Sequence, residues 1–423
     1  MAYLIKNITN LVTCSANSEN KGAKKGIEAS EIGLIRNGNV ITVDDRIVFS
    51  GSCTALKTYL KTNKIKNLRV IDAAGKTVMP GFIDSHTHLI FAGSRSDEYE
   101  MRIKGSTYEE IAKAGGGISS TVNKVRKATA EELIKSAEKR LGNFINYGTT
   151  TLEAKSGYGL DLKTEIKMLE VIKKLNEKNK YGIDVYSTFL GAHSVPKEIS
   201  KEEYIEIICR EMIPEISAKG LAKYIDVFCE TGYFTAKDSE RILKTGARFG
   251  LIPKLHTDQF YSIGGIDVAI KVRAISVDHL EVLKYAGIKK LRGKNIVATL
   301  LPGASYFLDI SYPPARELIT NNIPVAIATD FNPGSSMTEN MQIIMSLASV
   351  KMKMSSEEII NAATINAAHA LFLQNIMGSI EAGKQADMLI FDFPSYKDLV
   401  YHYGVNQMEK VMKKRKIIEN VRN

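Results

Sequence analysis

The sequence predicts an α/β protein: a (β/α)8 TIM-like barrel with a small β-sandwich domain formed from both chain ends. Between residues 78 and 375, eight short β-type runs alternate with amphipathic helical stretches, a pattern typical of a parallel sheet with crossover helices. Several of these runs end in a histidine or a carboxylate, and active sites of such barrels lie at the carboxyl ends of the strands. The β-type patterns before and after this region predict that residues 1–77 and 376–423 form the small domain.

The predicted elements follow one another in a regular order. The eight barrel runs are VMPGFIDSHTH, GTTTLEAKSG, DVYSTFLGAH, KYIDVFCE, IPKLHTD, RAISVDH, NIVATLLP and PVAIATD. Helical stretches between them include residues 130–144, 164–177 and 238–248. Before the barrel, IGLIRNG, NVITVDD, RIVFSG and LRVIDAAGK predict strands with tight turns between them. After it, a long helix is predicted from Ser355 to about Leu373, followed by β character at residues 378–380, 386–392 and 411–418.

Composition restricts the class of protein. The 423 residues are 44% hydrophobic and 25% charged, which is ordinary for a globular chain that buries a sizeable core. No long apolar run and no signal-peptide layout occurs, so we expect a cytoplasmic protein without a membrane partner. The net charge of +10 is spread without a basic strip, which does not favour nucleic acid but would favour a small anionic substrate. The four cysteines show no metal or disulfide spacing, and we expect them to be reduced and structural.

Histidines mark the candidate site. Five of the seven lie at the ends of the barrel runs: His86, His88, His193, His256 and His279. One residue separates His86 from His88, so on a strand both rings point to one side. The eighth run ends in Asp330 instead. Any one buried histidine could be a core residue, but this many at one end of a barrel predicts a metal site, since catalytic sites use three or four N/O ligands with one position left for water. His369 and His402 lie away from strand ends and are interpreted as structural.

These residues carry a family resemblance. PGFIDSHTH, followed by His256, His279 and Asp330, resembles the amidohydrolase superfamily over nearly the whole chain. The segments FAGSR, AGGGI, EAKSGYG, FLGAH and TDFNPGS are similar to motifs of the imidazolonepropionase family within it. The resemblance implies hydrolysis of 4-imidazolone-5-propanoate to N-formimidoyl-L-glutamate in histidine degradation. It implies one divalent metal ion per subunit, Zn²⁺ or Fe, held by His86, His88, His256 and Asp330. We also expect a homodimer.

The resemblance also implies a set of substrate or product contacts. They are Arg95, Tyr158, His193, Gln259, Asn332, Gly334 and Ser335, with Tyr108 as a further candidate. Opening a cyclic amide needs a nucleophile stronger than neutral water, and a bound divalent metal can lower the pKa of its water to about 7. Asp330 is predicted to ligate the metal and accept the water's proton, while His279 hydrogen-bonds the water or the oxyanion. His193 is predicted to polarise the carbonyl or protonate the departing nitrogen, and Arg95 to pair with the propanoate.

Three features allow a second interpretation. The glycines at 115–117 predict a mobile loop over the barrel mouth rather than a phosphate cradle, because no G-K-[ST] helix follows. Lys155 is interpreted as an ion-pair partner of Glu153 or a support for the ligands, rather than a carboxylated lysine that bridges two metals. Gln259 stands where the superfamily's deaminases carry a glutamate, and an amide cannot transfer protons. A deaminase, a binuclear cyclic amidase and an inactive scaffold relative remain the alternatives, and the intact ligand set argues against the scaffold.

Overall fold

The structure is a computed structural model, and it describes residues 1–15, 22–106, 110 and 116–419. Tyr108 and Gly115, both named from the sequence, lie outside these residues. The strands are β1 Ala2–Val12, β2 Leu34–Val43, β3 Arg46–Ser52, β4 Leu68–Asp72, β5 Thr77–Pro80, β6 Phe82–Asp84, β7 Thr149–Lys155, β8 Asp184–Ala192, β9 Tyr224–Cys229, β10 Ile252–Pro253, β11 Leu255–Thr257, β12 Ser276–His279, β13 Val297–Leu300, β14 Val325–Ile327, β15 Asp387–Phe391, β16 Met408–Lys413 and β17 Lys416–Glu419.

The helices pack around the strands of the barrel. The α-helices of the described ranges are Cys53–Thr62, Ser96–Ile103, Ile118–Lys127, Ala130–Asn146, Leu162–Glu177, Lys201–Ile207, Ile213–Ala218, Ala236–Arg248, Gly265–Val272, Tyr285–Leu291, Pro302–Leu308, Ala315–Thr320, Met341–Met352, Ser356–Ala362, Ile365–Ala370 and Asp398–Tyr401. The helix Ala130–Asn146 shows why these segments fold locally: Thr129 and Glu132 form a capping box, and Leu133 and Leu141 lie on its buried face. Within the described ranges, none of these helices has the length and apolarity needed to cross a bilayer.

Eight parallel strands form the barrel, as predicted. Strands β6, β7, β8, β9, β11, β12, β13 and β14 are hydrogen-bonded in that order, and β10 adds to β9. The last and first strands meet just beyond their ends, where Asp330 N–H donates to the His86 carbonyl at 3.1 Å and His88 N–H donates to the Phe331 carbonyl at 2.9 Å. The backbone that closes the barrel therefore carries three of the predicted metal ligands.

A second sheet joins the two ends of the chain, which confirms the predicted origin of the small domain. Its order is β17, β16, β15, β5, β1, β2 and β3, with β4 paired to β1. Strand β1 was not among the predicted runs, because its pairing with β2 shifts register between Ile5 and Ile8 and Asn7 has a positive φ of 56°. Such a bulge breaks the alternation on which strand prediction depends.

The run VMPGFIDSHTH belongs to both sheets rather than to one barrel strand. Strand β5 ends at Pro80 in the small sheet, and β6 begins at Phe82 in the barrel. Gly81 stands at the change of sheet so close to Thr150 that a β carbon there would collide with the threonine side chain. Only glycine allows the backbone to approach the Thr150 side chain this closely.

The region after the barrel differs from the prediction in two places. The long helix expected from Ser355 to about Leu373 is two helices, because Thr364 leaves helical geometry at φ −129° and ψ −94°. Residues 378–380, predicted as β, form no strand in the structure. The Ile380 N–H donates a backbone hydrogen bond to the Thr13 carbonyl at 2.7 Å, next to the end of β1.

Candidate metal centre and active site

Five side chains converge where the barrel strands end. Nε2 of His86 lies 3.5 Å from Oδ1 of Asp330, and Nε2 of His88 lies 3.6 Å from the same oxygen. The ring centroids of His86 and His256 are 4.3 Å apart, and those of His256 and His279 are 5.4 Å apart. Ligand atoms of His86, His88 and Asp330 lie within 4.8 Å of one another, and so do those of His86, His256 and His279. His86 thus joins two metal-compatible groups that together contain all four predicted ligands and His279.

Unsatisfied buried atoms in this cluster fit a bound cation. Nε2 of His86, Nε2 of His256 and Oδ1 of Asp330 are buried and have no hydrogen-bond partner in the described part of the chain. Such atoms are rare in native interiors unless a ligand or water satisfies them. Burial lowers the pKa of His86 and His88 well below 6.5, so both rings are neutral and able to ligate. Burial also raises the pKa of Asp330 to about 6.

Two carboxylates that the sequence analysis missed orient the histidines. Nδ1 of His86 lies 2.7 Å from Oδ2 of Asp278, and Nδ1 of His256 lies 2.8 Å from Oδ2 of Asp226. An Nδ1–H held by a carboxylate leaves the Nε2 lone pair for a metal. Both aspartates lie inside apolar runs of the sequence, KYIDVFCE and RAISVDH, where a buried carboxylate requires a partner. The need of a buried carboxylate for a partner is the feature of the sequence from which these two aspartates could have been identified.

Lys155 lies beneath the cluster among three buried carboxylates. Its Nζ is 2.7 Å from Asp226, 2.9 Å from Glu153 and 3.7 Å from Asp278. The predicted ion pair with Glu153 is therefore present. Burial opposes the charged form of Lys155, but Asp226 and Glu153 outweigh it and the pKa of Lys155 is raised. Lys254 adds a second ammonium, 3.5 Å from Glu153. The ammonium groups of Lys155 and Lys254 therefore lie beside the carboxylates that orient His86 and His256.

A cavity of about 280 Å³ opens onto the cluster. Eleven of the predicted site residues line it: His88, Arg95, Tyr158, His193, His256, Gln259, His279, Asp330, Asn332, Gly334 and Ser335. The lining residues that were not predicted are Arg102, Ile118, Phe228, Tyr233, Phe260, Leu308 and Ile310. Most of them are apolar side chains from loops and helices, and no spacing in the sequence relates such residues to the strand ends.

His279 has an unusual backbone and a dedicated acceptor. Its φ is +86° and that of Leu280 is +73°, a conformation that non-glycine residues adopt at a cost. The segment is held by the Leu280 N–H, which donates to the Thr257 carbonyl at 3.2 Å. Nδ1 of His279 lies 3.2 Å from Oε1 of Glu281, which is buried. Burial opposes protonation of His279, but Glu281 outweighs it and the pKa of His279 is raised.

His193 has a defined tautomer. Its Nδ1 is 3.0 Å from the Gly157 carbonyl oxygen, and a carbonyl can only accept, so Nδ1 carries the proton. Nε2 of the neutral ring is then an acceptor, and burial lowers the pKa of His193 to about 3. The loop that carries Gly157 and Tyr158 is fixed by the buried carboxylate of Glu165, which accepts backbone N–H groups of Gly157, Gly159 and Leu160.

The loop after β14 holds Asp330 in place. Oδ1 of Asn332 accepts the N–H groups of Gly334 and Ser335, both at 2.8 Å, and its Nδ2 donates to the Asp330 carbonyl at 2.6 Å. Oγ of Ser335 donates to Oδ2 of Asp330 at 3.1 Å. One carboxylate oxygen of Asp330 is thus satisfied by its own loop, while the other faces the histidines.

Arg95 reaches the cavity from the loop after β6. Its Nε donates to Oε2 of Glu98 at 2.8 Å, and the Gly117 N–H donates to the same oxygen at 2.9 Å. The guanidinium packs so closely on Gly334 that a β carbon there would collide with Nη1. Arg95 therefore lines the cavity and is also paired with a buried carboxylate.

Comparisons with known proteins agree with this fold. A model described as the amidohydrolase family matches residues 249–421, and a second model with the same description matches residues 69–140. A zinc-bound adenosine deaminase from Xanthomonas campestris superposes with a TM-score of 0.72 at 15% identity, covering 99% of this chain and 93% of that chain. A triazine hydrolase from Arthobacter aurescens superposes with a TM-score of 0.73 at 15% identity, covering 99% and 95%. Identities this low show the fold alone. The family models and the metal-compatible groups of histidines and aspartate indicate the class of protein, a hydrolase of the amidohydrolase family.

Sequence relatives define the family more closely. The chain is 45% identical over 416 residues to an imidazolonepropionase from Shouchella clausii, covering 98% of this chain and 92% of that protein. It is 45% identical over 417 residues to an imidazolonepropionase from Alkaliphilus oremlandii, covering 98% and 97%. The chain belongs to the imidazolonepropionase family.

Proposed function

We propose that this chain opens the ring of 4-imidazolone-5-propanoate by hydrolysis and forms N-formimidoyl-L-glutamate. The observation that carries the proposal is one cavity that contains candidate metal ligands, a neutral histidine and two arginines. Nε2 of His256 and Oδ1 of Asp330 have no hydrogen-bond partner among the described residues, and the cavity is also lined by His193, Arg95 and Arg102. A cyclic amide with an anionic side chain needs such a combination: a Lewis acid at the carbonyl, acceptors for ring N–H groups and a cation for the carboxylate. The near-full-length similarity to imidazolonepropionases supports the same reaction.

We propose one metal ion per subunit, Zn²⁺ or Fe, held by His86, His88, His256 and Asp330. Three imidazoles and one carboxylate suit either metal. When bound there, the metal lowers the pKa of its water to about 7 and polarises the ring carbonyl. A second group with metal-compatible spacing, His86, Glu153 and Asp278, contains carboxylates that already face the ammonium groups of Lys155 and Lys254. That positive charge disfavours a second cation and supports a mononuclear site.

Different side chains of the site carry out different steps of ring opening. Water adds across the amide C–N bond, so its oxygen enters the new carboxylate and a proton goes to the departing nitrogen. Oδ1 of Asp330 has no protein partner in the described chain and accepts the proton of the attacking water, while Ser335 holds Oδ2. His279, with its Nδ1 on Glu281, stabilises the developing oxyanion from its other ring nitrogen.

Other cavity residues bind and orient the substrate. The tautomer of His193 favours Nε2 as an acceptor for a ring N–H, rather than the proton donor that the sequence predicts. Asp330 then returns the proton to the departing nitrogen. Tyr158 and Gln259 offer further polar contacts, and Arg95 faces the substrate side chain. Since Gln259 cannot transfer protons, a deaminase is not favoured.

Turnover and product identity test this proposal. Purified protein should consume the imidazolone chromophore and yield N-formimidoyl-L-glutamate, identified by mass and NMR, without releasing ammonia. The same protein should leave hydantoin, dihydroorotate and adenosine unchanged, which separates the proposal from a cyclic amidase and a deaminase. Ammonia release, or ring opening of hydantoin at a comparable rate, would support an alternative. The homodimer, the cytoplasmic location and the domain boundaries stay predictions.

A further inference from the structure

The cavity contains two guanidinium groups, but only one of them is paired. Arg95 donates to Glu98 at 2.8 Å, and both side chains are largely buried, at 13% and 11% exposed. Glu98 pairs with no other cation in the described chain, so it cancels the charge of Arg95 locally. A paired guanidinium still offers its remaining N–H groups, but it attracts an incoming anion much less than a free one does.

Arg102 is the second guanidinium. It belongs to the last turn of the helix Ser96–Ile103 and lines the same cavity. Its Nη2 donates to the Gly334 carbonyl at 3.3 Å, and its guanidinium carbon lies 5.6 Å from the centre of the Phe307 ring. These two contacts fix the orientation of the group without neutralising it, because neither a carbonyl nor a phenyl ring carries a net charge.

One nitrogen of the Arg102 guanidinium has no acceptor among the described residues. Nη1 is buried without a hydrogen-bond partner, and no carboxylate of the described ranges forms an ion pair with the group. Burial and the nearby Arg95 lower the pKa of Arg102, which shows that the two guanidiniums lie within each other's field. A guanidinium held close to a second one, with a donor left unsatisfied, is arranged for an anion that bridges both.

Gly334 connects the two groups. Nη1 of Arg95 packs against its α carbon, and Nη2 of Arg102 binds its carbonyl oxygen. Counting Arg95 and Arg102 as positive and Glu98 as negative, this end of the cavity carries one net positive charge. That charge belongs to Arg102, because Glu98 contacts Arg95.

We infer that Arg102 is a specificity-determining residue that supplies the unpaired positive charge for the carboxylate of the substrate side chain. Arg95 assists from its place beside Glu98. The inference rests on the proposed function, since it assigns the site that receives the propanoate group. It adds a residue that no motif of the sequence indicated.

Arg102→Met tests the inference, because methionine keeps much of the side-chain volume and removes the charge. We expect KM for 4-imidazolone-5-propanoate to rise about 10- to 100-fold while kcat stays within about threefold, since a side-chain contact remote from the reacting bond is made equally in the ground and transition states. Arg102→Lys should recover part of the lost affinity, because lysine keeps the positive charge but not the paired N–H donors of the planar guanidinium. Turnover of an imidazolone without the carboxylate should not change.

Lys104→Met is the matched control. Lys104 is two residues away, 71% exposed and paired with Glu100, so its loss removes one positive charge from the surface but not from the cavity. Circular dichroism and Tm of each variant establish that it is folded, and Arg102→Gln, which also removes the charge, replaces Arg102→Met if the latter does not fold. Equal KM values for the Arg102 and Lys104 variants would overturn the inference.

A binding measurement separates this inference from the proposed function. Glutarate is a carboxylate probe that needs no turnover, and calorimetry can measure its Kd for the unmodified, Arg102→Met and Lys104→Met proteins. A Kd about 10-fold or more weaker for Arg102→Met alone supports the site even if the unmodified protein fails to open the imidazolone ring. Equal glutarate binding by all three proteins contradicts the inference, whatever the outcome of the activity assay.

Discussion

Lys155→Met should weaken both the fold and the metal site. Lys155 is fully buried and lies within hydrogen-bonding distance of Glu153 and Asp226. Removing one member of a buried ion pair costs about 3 to 5 kcal/mol, because the remaining charge loses its compensation. With an unfolding entropy of about 2.1 cal/mol/K per residue, 423 residues imply a fall in Tm of roughly 3 to 6 °C.

The effect on metal binding follows from the neighbours of Lys155. Asp226 and Asp278 orient His256 and His86, and supporting groups of this kind typically contribute about 10- to 100-fold to metal affinity. We therefore expect the dissociation constant for Zn²⁺ to rise about 10- to 100-fold in Lys155→Met. Competition with a chromophoric chelator measures the affinity, and calorimetry measures Tm.

Lys413→Met provides the control for stability alone. Lys413 is 1% exposed and lies 2.7 Å from both Asp184 and Asp387, so it is as buried and as closely paired as Lys155. It belongs to β16 of the small sheet, away from the strand ends that carry the histidines. Its replacement should lower Tm by a similar amount and leave Zn²⁺ affinity unchanged. If both variants lose metal equally, or if Lys155→Met binds metal normally, the supporting role of Lys155 is refuted.

Substitutions at three further residues each test a single role. Asp330→Asn should lower kcat about 10²- to 10⁴-fold in protein that elemental analysis shows to contain metal, because the amide cannot accept the water's proton. A near-normal kcat would contradict this role of Asp330 and assign it to His279. Arg95→Ala should lower kcat/KM for the propanoate substrate roughly 10- to 100-fold, and equal losses on a substrate without the carboxylate would contradict its role. Glu281→Leu should lower kcat about 10-fold or more, because Nδ1 of His279 loses its acceptor. Glu281→Gln keeps an acceptor and should retain most of the activity. Equal activity of the two variants would refute the role of Glu281 in positioning His279.

Local patterns were sufficient to predict the barrel and the polar residues that meet at the ends of its strands. The spacing of His86 and His88 and the place of His256 and Asp330 at strand ends are properties of short segments. His88, His256 and Asp330 line one cavity, which shows that strand ends far apart in sequence meet as the fold requires. The Lys155–Glu153 pair was also predicted from two residues of one strand.

Features that depend on tertiary contacts were not predicted from the sequence. The role of Asp226 and Asp278 depends on their contacts with His256 and His86. Arg102 lines the cavity through a tertiary contact in which it donates to the Gly334 carbonyl. The division of VMPGFIDSHTH between two sheets likewise depends on the close approach of Gly81 to Thr150. The hydrogen bond from His193 to the Gly157 carbonyl fixes a tautomer that no motif specifies.

Metal titration of the metal-free protein tests the central claim most directly. Chelator-treated protein is titrated with Zn²⁺, and separately with Fe²⁺ under anaerobic conditions, while the loss of the imidazolone chromophore is followed. A single catalytic ion held by His86, His88, His256 and Asp330 predicts that activity is absent without metal and rises linearly until about one equivalent per subunit is bound. Full activity in metal-free protein, or a rise that continues to two equivalents, would contradict a mononuclear metal-dependent hydrolase.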